Sequence, residues 1–306
     1  MTALPTPGGN PAEPVTFRPA RPRWRETLVL LAKNPTALIA AIVLLVIIVV
    51  ATFDQTFAPY PANAQDIGNR LQPPSWEHSF GTDNLGRDIL SRVIIGASVS
   101  LQVGFLSVGL ALLAGTLIGL LAGFYGRWVD DTLMRLMDML FAFPAVLLAI
   151  AILAIRGPGT TNTIIAIAIV FVPIFARVTR ASVLGVREEV YVRASRSVGA
   201  SDFRLLTRHV LPNAAPPIIV QTSVSLAFAV LAEAALSFLG LGTQPPNPSW
   251  GSMLAEGREF IEQAWWLAFF PGMAIVVTVL CFNLLGDGLR DVLDPRQRTL
   301  MAGGGR

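Results

Sequence analysis

Few side chains in this sequence could do bond chemistry, and they are scattered. Lys33 is the only lysine, Cys281 the only cysteine, and the two histidines, His78 and His209, lie far apart. A phosphate-cradling GxxxxGK[ST] loop needs a lysine, and Lys33 is followed by Asn34 and Pro35, so no Walker-type nucleotide site can form. One cysteine excludes an intrachain disulfide, a CxxC redox pair and a thiolate metal site. Two distant histidines give no histidine-based metal centre, and no cofactor is expected. The only acidic residue inside a long apolar run is Glu233. A carboxylate in such a setting is costly and faces either water or a hydrogen-bonding neighbour. Two readings of Glu233 stand: a pathway-facing group near the outer end of its span, or a hydrogen-bonded structural one.

The polar residues with most order in their spacing lie between Arg177 and Pro216, the longest polar interruption in the second half of the chain. The segment is basic and reads as helix, Gly, helix, Pro. Arg187–Val198 has helical composition, and Gly199 is placed to end it. Ser201 can cap a second helix from Asp202 to about Val210, which Pro212 would stop. Val190, Tyr191 and Ala194 would be presented early, and Phe203, Leu206 and Leu211 later. Small residues at Ala194, Ser195 and Gly199 would let a partner backbone approach. From the residues alone, a docking element and an amphipathic connector lying on lipid head groups are equally good readings.

The elements that hold this segment are membrane spans. The chain of 306 residues is 53% hydrophobic and 14% charged, with a mean hydropathy of +0.59, whereas a soluble domain has about one quarter charged residues. Its basic residues sit in short segments beside apolar runs, where they set topology, so the pI near 9.6 does not indicate nucleic acid. Met1–Arg23 reads as an unstructured Pro/Gly/Ala-rich tail rather than a signal peptide. Arg21–Lys33 is basic, with Trp24 as an interfacial anchor. About 20 apolar residues cross a bilayer, which gives six spans: Pro35–Phe53, a run within Val93–Gly126, Met139–Ile155, Gly157–Ala176, Asn213–Leu239 and Ala264–Leu285.

Between the first two spans, Thr82 or Asp83 could cap a short helix carrying Ile89, Leu90, Val93 and Ile94, with the start of the long run at the interface. Gly115, Gly119 and Gly123 recur at four-residue spacing and make a smooth ridge for close helix approach. Asp130 and Asp131, with Trp128, read as a cap and anchor of the third span; Asp287, Arg290 and Asp291 read as a solvated helix end. With the N-terminus inside, every Arg-rich segment falls on the cytoplasmic side, Arg177–Pro216 included. The layout is therefore a cytoplasmic tail (1–34), a first span (35–57), an extracytoplasmic loop (58–92), a five-span core (93–286) containing the cytoplasmic segment 177–215, and a cytoplasmic tail (287–306).

The segment RASRSVGASDFRLLTRHVLPNA resembles the coupling loop of bacterial ABC-importer permeases, with pattern Glu-Ala-Ala, three residues, Gly, nine residues, Ile-x-Leu-Pro. Arg193, Ala194 and Ser195 stand at the Glu-Ala-Ala positions, Gly199 at the Gly and Leu211–Pro212 at the Leu-Pro, with Val210 supplying the aliphatic residue one place after the Ile position. The family's Glu and second Ala are both replaced, although Glu188 or Glu189 could substitute for the missing acid. FGTDNLGRD, AEAALSFLGLGTQPP, PSWGSMLAEGR and NLLGDGLRDVLDP resemble the second permease subunit of dipeptide, oligopeptide and nickel importers, in the same order along the chain.

The resemblance implies an all-α polytopic membrane protein with the ABC-importer permease fold, five core spans plus one N-terminal span, in a bacterial inner membrane. It implies a non-catalytic subunit that pairs with a second permease and two cytoplasmic ATPase subunits. An extracytoplasmic binding protein would deliver a peptide. ATP binding would close the ATPases, move the coupling loops and rock the spans between inward-open and outward-open states. Two outer motifs, Gln72–Trp76 (QPPSW) and Gln244–Gly251 (QPPNPSWG), place Trp76 and Trp250 either at the rim that receives the binding protein or in an interfacial aromatic belt. The alternatives are a nickel chelate or other small solute on the same scaffold, a stand-alone secondary transporter, and a polytopic membrane enzyme. The last lacks a catalytic cluster within the spans.

Overall fold

A computed structural model describes residues 30–32 and 34–293. The basic flank from Arg18 to Arg25, Trp24, Lys33, and Arg296 and Arg298 of the tail lie outside the described residues. Helix α1 (Pro35–Thr52) starts where the Asn34 side chain accepts from the Ala37 amide and Pro35 takes the first turn, where its missing N–H costs nothing. A short α2 (Asp54–Phe57) and an irregular loop with a 3-10 turn at Ile67–Asn69 lead to α3 (Ile89–Tyr125). At about 1.5 Å per residue, this 37-residue helix spans about 55 Å, well beyond the ~30 Å hydrocarbon core.

The start of α3 differs from the sequence expectation. Its cap is Asp88, whose carboxylate accepts from the Ser91 amide, and no separate helix begins at Thr82 or Asp83. Asp83 instead holds a turn by accepting from the amides of Leu85 and Arg87. Ser91 and Arg92 are buried, with the Ser91 hydroxyl accepting from the Tyr60 amide and Arg92 donating to the Ala62 carbonyl of the preceding loop.

Gly126, at φ +63°, ends α3, and a new helix begins at once. The charged segment RWVDDTLMR, which falls between the second and third expected spans, is the first part of α4 (Arg127–Phe141). Its charged residues face one side of an amphipathic helix, a pattern that hydropathy alone reads as a turn. A single straight span over Met139–Ile155 is not present. α4 and α5 (Ala145–Arg156) meet at 87°. Pro144 stands at the bend, where it lacks an N–H for the ladder and disfavours helix at Phe143.

Helix α6 (Thr160–Arg187) runs eleven residues past the expected boundary at Ala176, so the first part of the basic segment is a rigid continuation of a span. α7 (Val190–Ser197) is followed by Gly199 at φ +86°, a backbone state glycine adopts without strain. Ser201 caps α8 (Asp202–Leu205). Pro212, expected as a helix stop, does not break the chain's helical course. The backbone widens into a π turn over Leu206–Val210, with the Leu211 amide reaching back to the Leu206 carbonyl, and continues as α9 (Leu211–Phe238). Pro212 falls in the first turn of α9, where the widened register leaves room for its ring. The chain closes with α10 (Trp250–Arg258), begun by a Ser249–Ser252 capping box, and α11 (Trp266–Leu293).

Five helices are long and apolar enough to cross a membrane, and the bent α4–α5 pair makes six, with no strand among the described residues. The glycine ridge of α3 packs on α6. A Cβ at Gly115 would lie 2.5 Å from Phe175 Cβ, at Gly119 2.3 Å from the Ala176 carbonyl oxygen, and at Gly123 2.9 Å from Val183 Cβ. Small residues thus set the separation of the two central helices. α1 packs on α3 and α11 through Ala40 and Leu44, and Gly288 admits Ala37.

Candidate functional site

One end of the bundle carries the elbow formed by α7 and α8. Its underside is fixed by a cluster of Phe124, Val183, Val192, Leu205, Leu206, Val210 and Ala214. The elbow is therefore glued to the ends of α3, α6 and α9 and cannot shift without them. Arg187 reinforces this by donating to the Gly123 carbonyl at 2.7 Å, and the Arg196 guanidinium lies 5.1 Å from the centre of the Phe124 ring.

The outward face of the elbow contains Arg193, Ala194 and Gly199, all exposed, with Ser195 half-buried. Pro212 is exposed as well. Val210 is fully buried and Leu211 partly so, which places them beneath the surface rather than on it. Leu206, expected on the presented face, is buried also. Three apolar side chains stand out from this basic surface: Val190, Val198 and Phe203, at 81%, 86% and 76% exposure. Val198 was not legible as exposed, because it looks like the end of a buried stripe until Gly199 turns the chain. Arg193 pairs with Glu188 at 2.8 Å, both side chains largely in solvent. Such an exposed pair contributes little to stability. It leaves Arg193 positioned but free to exchange partners.

At the opposite end, the loop before α3 is locked by buried charge. Arg87 donates to Asp83 at 2.5 Å and to Glu256 at 2.8 Å, and Arg92, 2% exposed, reaches Glu256 at 3.3 Å. His78 Nδ1 lies 2.9 Å from Asp88, whose other oxygen accepts from the Ser91 amide and hydroxyl. Two guanidinium groups face two carboxylates, so the cluster is balanced, and it ties the loop, α3 and α10 into one cap. Single removal of one partner would leave a buried charge uncompensated, the costly direction for such networks.

Trp76 and Trp250, expected to play equivalent parts, differ completely. Trp76 is fully exposed. Trp250 is 1% exposed; its indole N–H donates to the Val93 carbonyl at 3.0 Å and its amide to Ser100 Oγ at 3.3 Å. Trp250 is a packing anchor between α10 and α3, and it offers no surface to a protein docking from outside.

Glu233 is wholly buried. Ser237 donates to its Oε1 at 2.7 Å and in turn accepts from the Thr243 amide, whereas Oε2 is buried without a hydrogen-bond partner. One carboxylate oxygen is thus tied through Ser237 to the turn after α9. A cavity of about 680 Å³ opens between the α4–α5 bend, α6 and α9, lined almost wholly by apolar side chains with Gln221 as its polar member. Its wall includes Leu231, Ala232, Ala235 and Leu236 but not Glu233. Asp130, expected as a cap, instead takes a two-pronged ion pair from Arg180. The charges that link α4 to α6 are hidden from any reading that ends α6 at Ala176. Once the helix extends, Arg177, Arg180 and Arg187 fall three and seven residues apart on one face. No group of three or more metal-ligating side chains occurs among the described residues.

Comparison with known proteins agrees with this architecture. Residues 115–299 match the family model described as "Binding-protein-dependent transport system inner membrane component". Residues 23–74 match the "N-terminal TM domain of oligopeptide transport permease C". The chain is 47% identical to the dipeptide transport system permease protein DppC of Alkalihalophilus pseudofirmus, covering 97% of each. It is 47% identical to the glutathione transport system permease protein GsiD of Escherichia coli, covering 90% of this chain and 91% of that one. A solved inward-facing structure of the MetNI methionine ABC transporter superposes with a TM-score of 0.55 at 17% identity, covering 67% of this chain and 98% of that chain, a likeness of fold. The chain belongs to the family of inner membrane components of binding-protein-dependent transport systems, the ABC-importer permeases.

Proposed function

We propose that this chain is one of two permease subunits of an ATP-driven peptide importer in a bacterial inner membrane, with both termini and the α7–α8 elbow in the cytoplasm. The observation that carries the reading is the elbow. It is an ordered basic surface with Val190, Val198 and Phe203 exposed, seated on the ends of three spans. The only lysine cannot form a Walker motif, so energy from ATP reaches this chain through a separate protein. Exposed aromatic and aliphatic side chains between arginines suit a groove on a cytoplasmic ATPase subunit, one under each permease of the pair. The coupling-loop residues Arg193, Ala194, Ser195 and Gly199 form its surface, and Val210, Leu211 and Pro212 hold it to α9.

At the outer face, the loop carrying Trp76 receives the substrate-binding protein, with the Arg92–Glu256 cluster and Trp250 as its foundation. The peptide reading is supported by the relatives that transport dipeptides and glutathione, itself a small peptide. The chain itself has no catalytic role; hydrolysis belongs to the partner subunits.

The test is co-expression with the partner permease and the ATPase subunits. The expected result is a stable complex that hydrolyses ATP, while the purified chain alone shows no hydrolysis. Recovery of the chain only as a free protein, with no ATPase retained on its elbow, overturns the reading.

A further inference from the structure

The bent pair α4–α5 is the most loosely packed part of the membrane domain. Met137 is the only buried residue of α4, and Ala149 and Leu153 are the only ones of α5. Apolar packing therefore does little to fix where α4 sits. Polar ties to the arm of α6 do it instead. Arg180 grips Asp130 with both prongs, Nε to Oδ1 at 2.5 Å and Nη2 to Oδ2 at 2.6 Å, with Asp130 largely shielded from solvent. This fork-to-fork geometry fixes orientation as well as distance. Further along α4, Arg177 Nη2 reaches Asp138 at 2.7 Å, and its guanidinium lies 4.1 Å from the centre of the Phe141 ring, the last residue of α4.

These ties lie between two parts of the protein that matter for transport. On one side, the arm of α6, its stretch from Arg177 to Arg187, is joined to the elbow through Val183 in the buried cluster with Val192, Leu205 and Leu206, while Arg187 holds the same arm to the end of α3 at the Gly123 carbonyl. On the other side, the end of α4 and the bend supply Leu140, Phe141, Phe143 and Pro144 to the wall of the cavity, opposite Phe228 and Gln221 of α9.

We propose that the Arg180–Asp130 and Arg177–Asp138 pairs are positioning residues that carry movement of the elbow to the cavity wall, making α4 a driven gate hinged at Ala142–Pro144. This rests on the reading of the chain as an ATPase-coupled permease and adds the route by which the elbow acts. Movement of the α6 arm carries α4 with it because the two-pronged Arg180–Asp130 pair, with Asp130 shielded, fixes its orientation, and the exposed Arg177–Asp138 pair adds a weaker tie. α5 is held by its own contacts with α6, so displacement concentrates at the bend. The aromatic side chains there then open or close the cavity.

The test uses the complete transporter in proteoliposomes, with labelled dipeptide uptake and ATP hydrolysis read in parallel. Asp130→Arg and Arg180→Asp are each expected to lower uptake per ATP at least about tenfold while binding-protein-stimulated hydrolysis stays within about twofold of wild type. The double swap is expected to restore uptake per ATP to within about twofold. Unchanged uptake per ATP in both single variants overturns the proposal. So does an assembled double swap that remains as uncoupled as the singles.

If the single variants fail to assemble, the tie is replaced covalently. Asp130→Cys and Arg180→Cys are combined with Cys281→Ala and joined by a reversible bis-thiol linker, because an Asp–Arg pair spans more than a disulfide can. Uptake per ATP that rises on linking and falls on reduction supports the link. Uptake that linking leaves unchanged or abolishes overturns it. Wild-type uptake in the same preparation tests the permease reading itself, so loss confined to the variants is separable from failure of that reading.

Discussion

Replacing Phe203 by Asp is expected to abolish capture of the ATPase subunit at the elbow while leaving the permease folded. Phe203 is 76% exposed at the second residue of α8 and packs on nothing that the fold requires. The buried cluster below is made by Leu205 and Leu206, which face inward from the same turn. A membrane protein that leaves a phenylalanine in water beside Arg204 and Arg208 does so where another surface covers it. Truncation of an aromatic anchor in an interface costs about 2 kcal/mol or more, equivalent to about 30-fold in affinity, and a carboxylate pressed into the same groove adds a desolvation cost. Co-purification of the ATPase should fall at least about 30-fold, and ATP-dependent uptake should disappear with it. Chromatographic behaviour and yield of the permease in detergent should be unchanged. An unaltered complex would show that this face of the elbow is not the docking surface.

Gly119→Leu is expected to prevent folding. Even a Cβ at this position would stand 2.3 Å from the Ala176 carbonyl oxygen and 2.7 Å from Thr179 Cβ, and the first of these is backbone that has no rotamer to change. The two helices would have to separate, which would also pull Gly115 and Gly123 off Phe175 and Val183. Overpacking a tight core costs about 1–3 kcal/mol where side chains can yield, and here they cannot. Gly109→Ala, on the same helix, has nothing within 4 Å of the new Cβ and should be tolerated. The check is the yield of monodisperse protein in detergent, expected to collapse for the first variant and to hold for the second. Equal yields would mean that the α3–α6 contact does not govern assembly.

The glycine ridge shows how far spacing alone reaches. An interval of four residues puts small side chains on one face whatever the neighbour is, and only the identity of the partner, α6, had to come from the structure. The same holds for the apolar runs and for the turn at Gly199, where a local rule suffices. Legibility failed where a local signal was overridden by register or by a helix outlasting the membrane. Pro212 looks like a stop, yet a π turn places it in the first turn of α9. Arg177 looks like the start of a loop, yet α6 continues to Arg187, and with it goes the view of Arg180 reaching Asp130. Trp76 and Trp250 lie in near-identical motifs. The second one opens α10 and points inward, onto the Val93 carbonyl, whereas the first stays in an irregular loop. The all-α membrane fold and the Gly199 turn of the elbow were thus legible from pattern. The buried charge cap and the α4–α6 ion pairs depend on contacts between distant segments that pattern does not encode.

The proposal that transport through this chain is powered by a separate ATPase bound at the elbow is tested most directly by dipeptide uptake into proteoliposomes. These contain this chain, its partner permease and the ATPase subunits, with the binding protein and peptide outside. The predicted result is uptake that requires ATP inside, requires the binding protein, and is absent when the ATPase subunits are left out, whatever ion gradient is imposed. Uptake that persists without the ATPase subunits and tracks a proton or sodium gradient would contradict it.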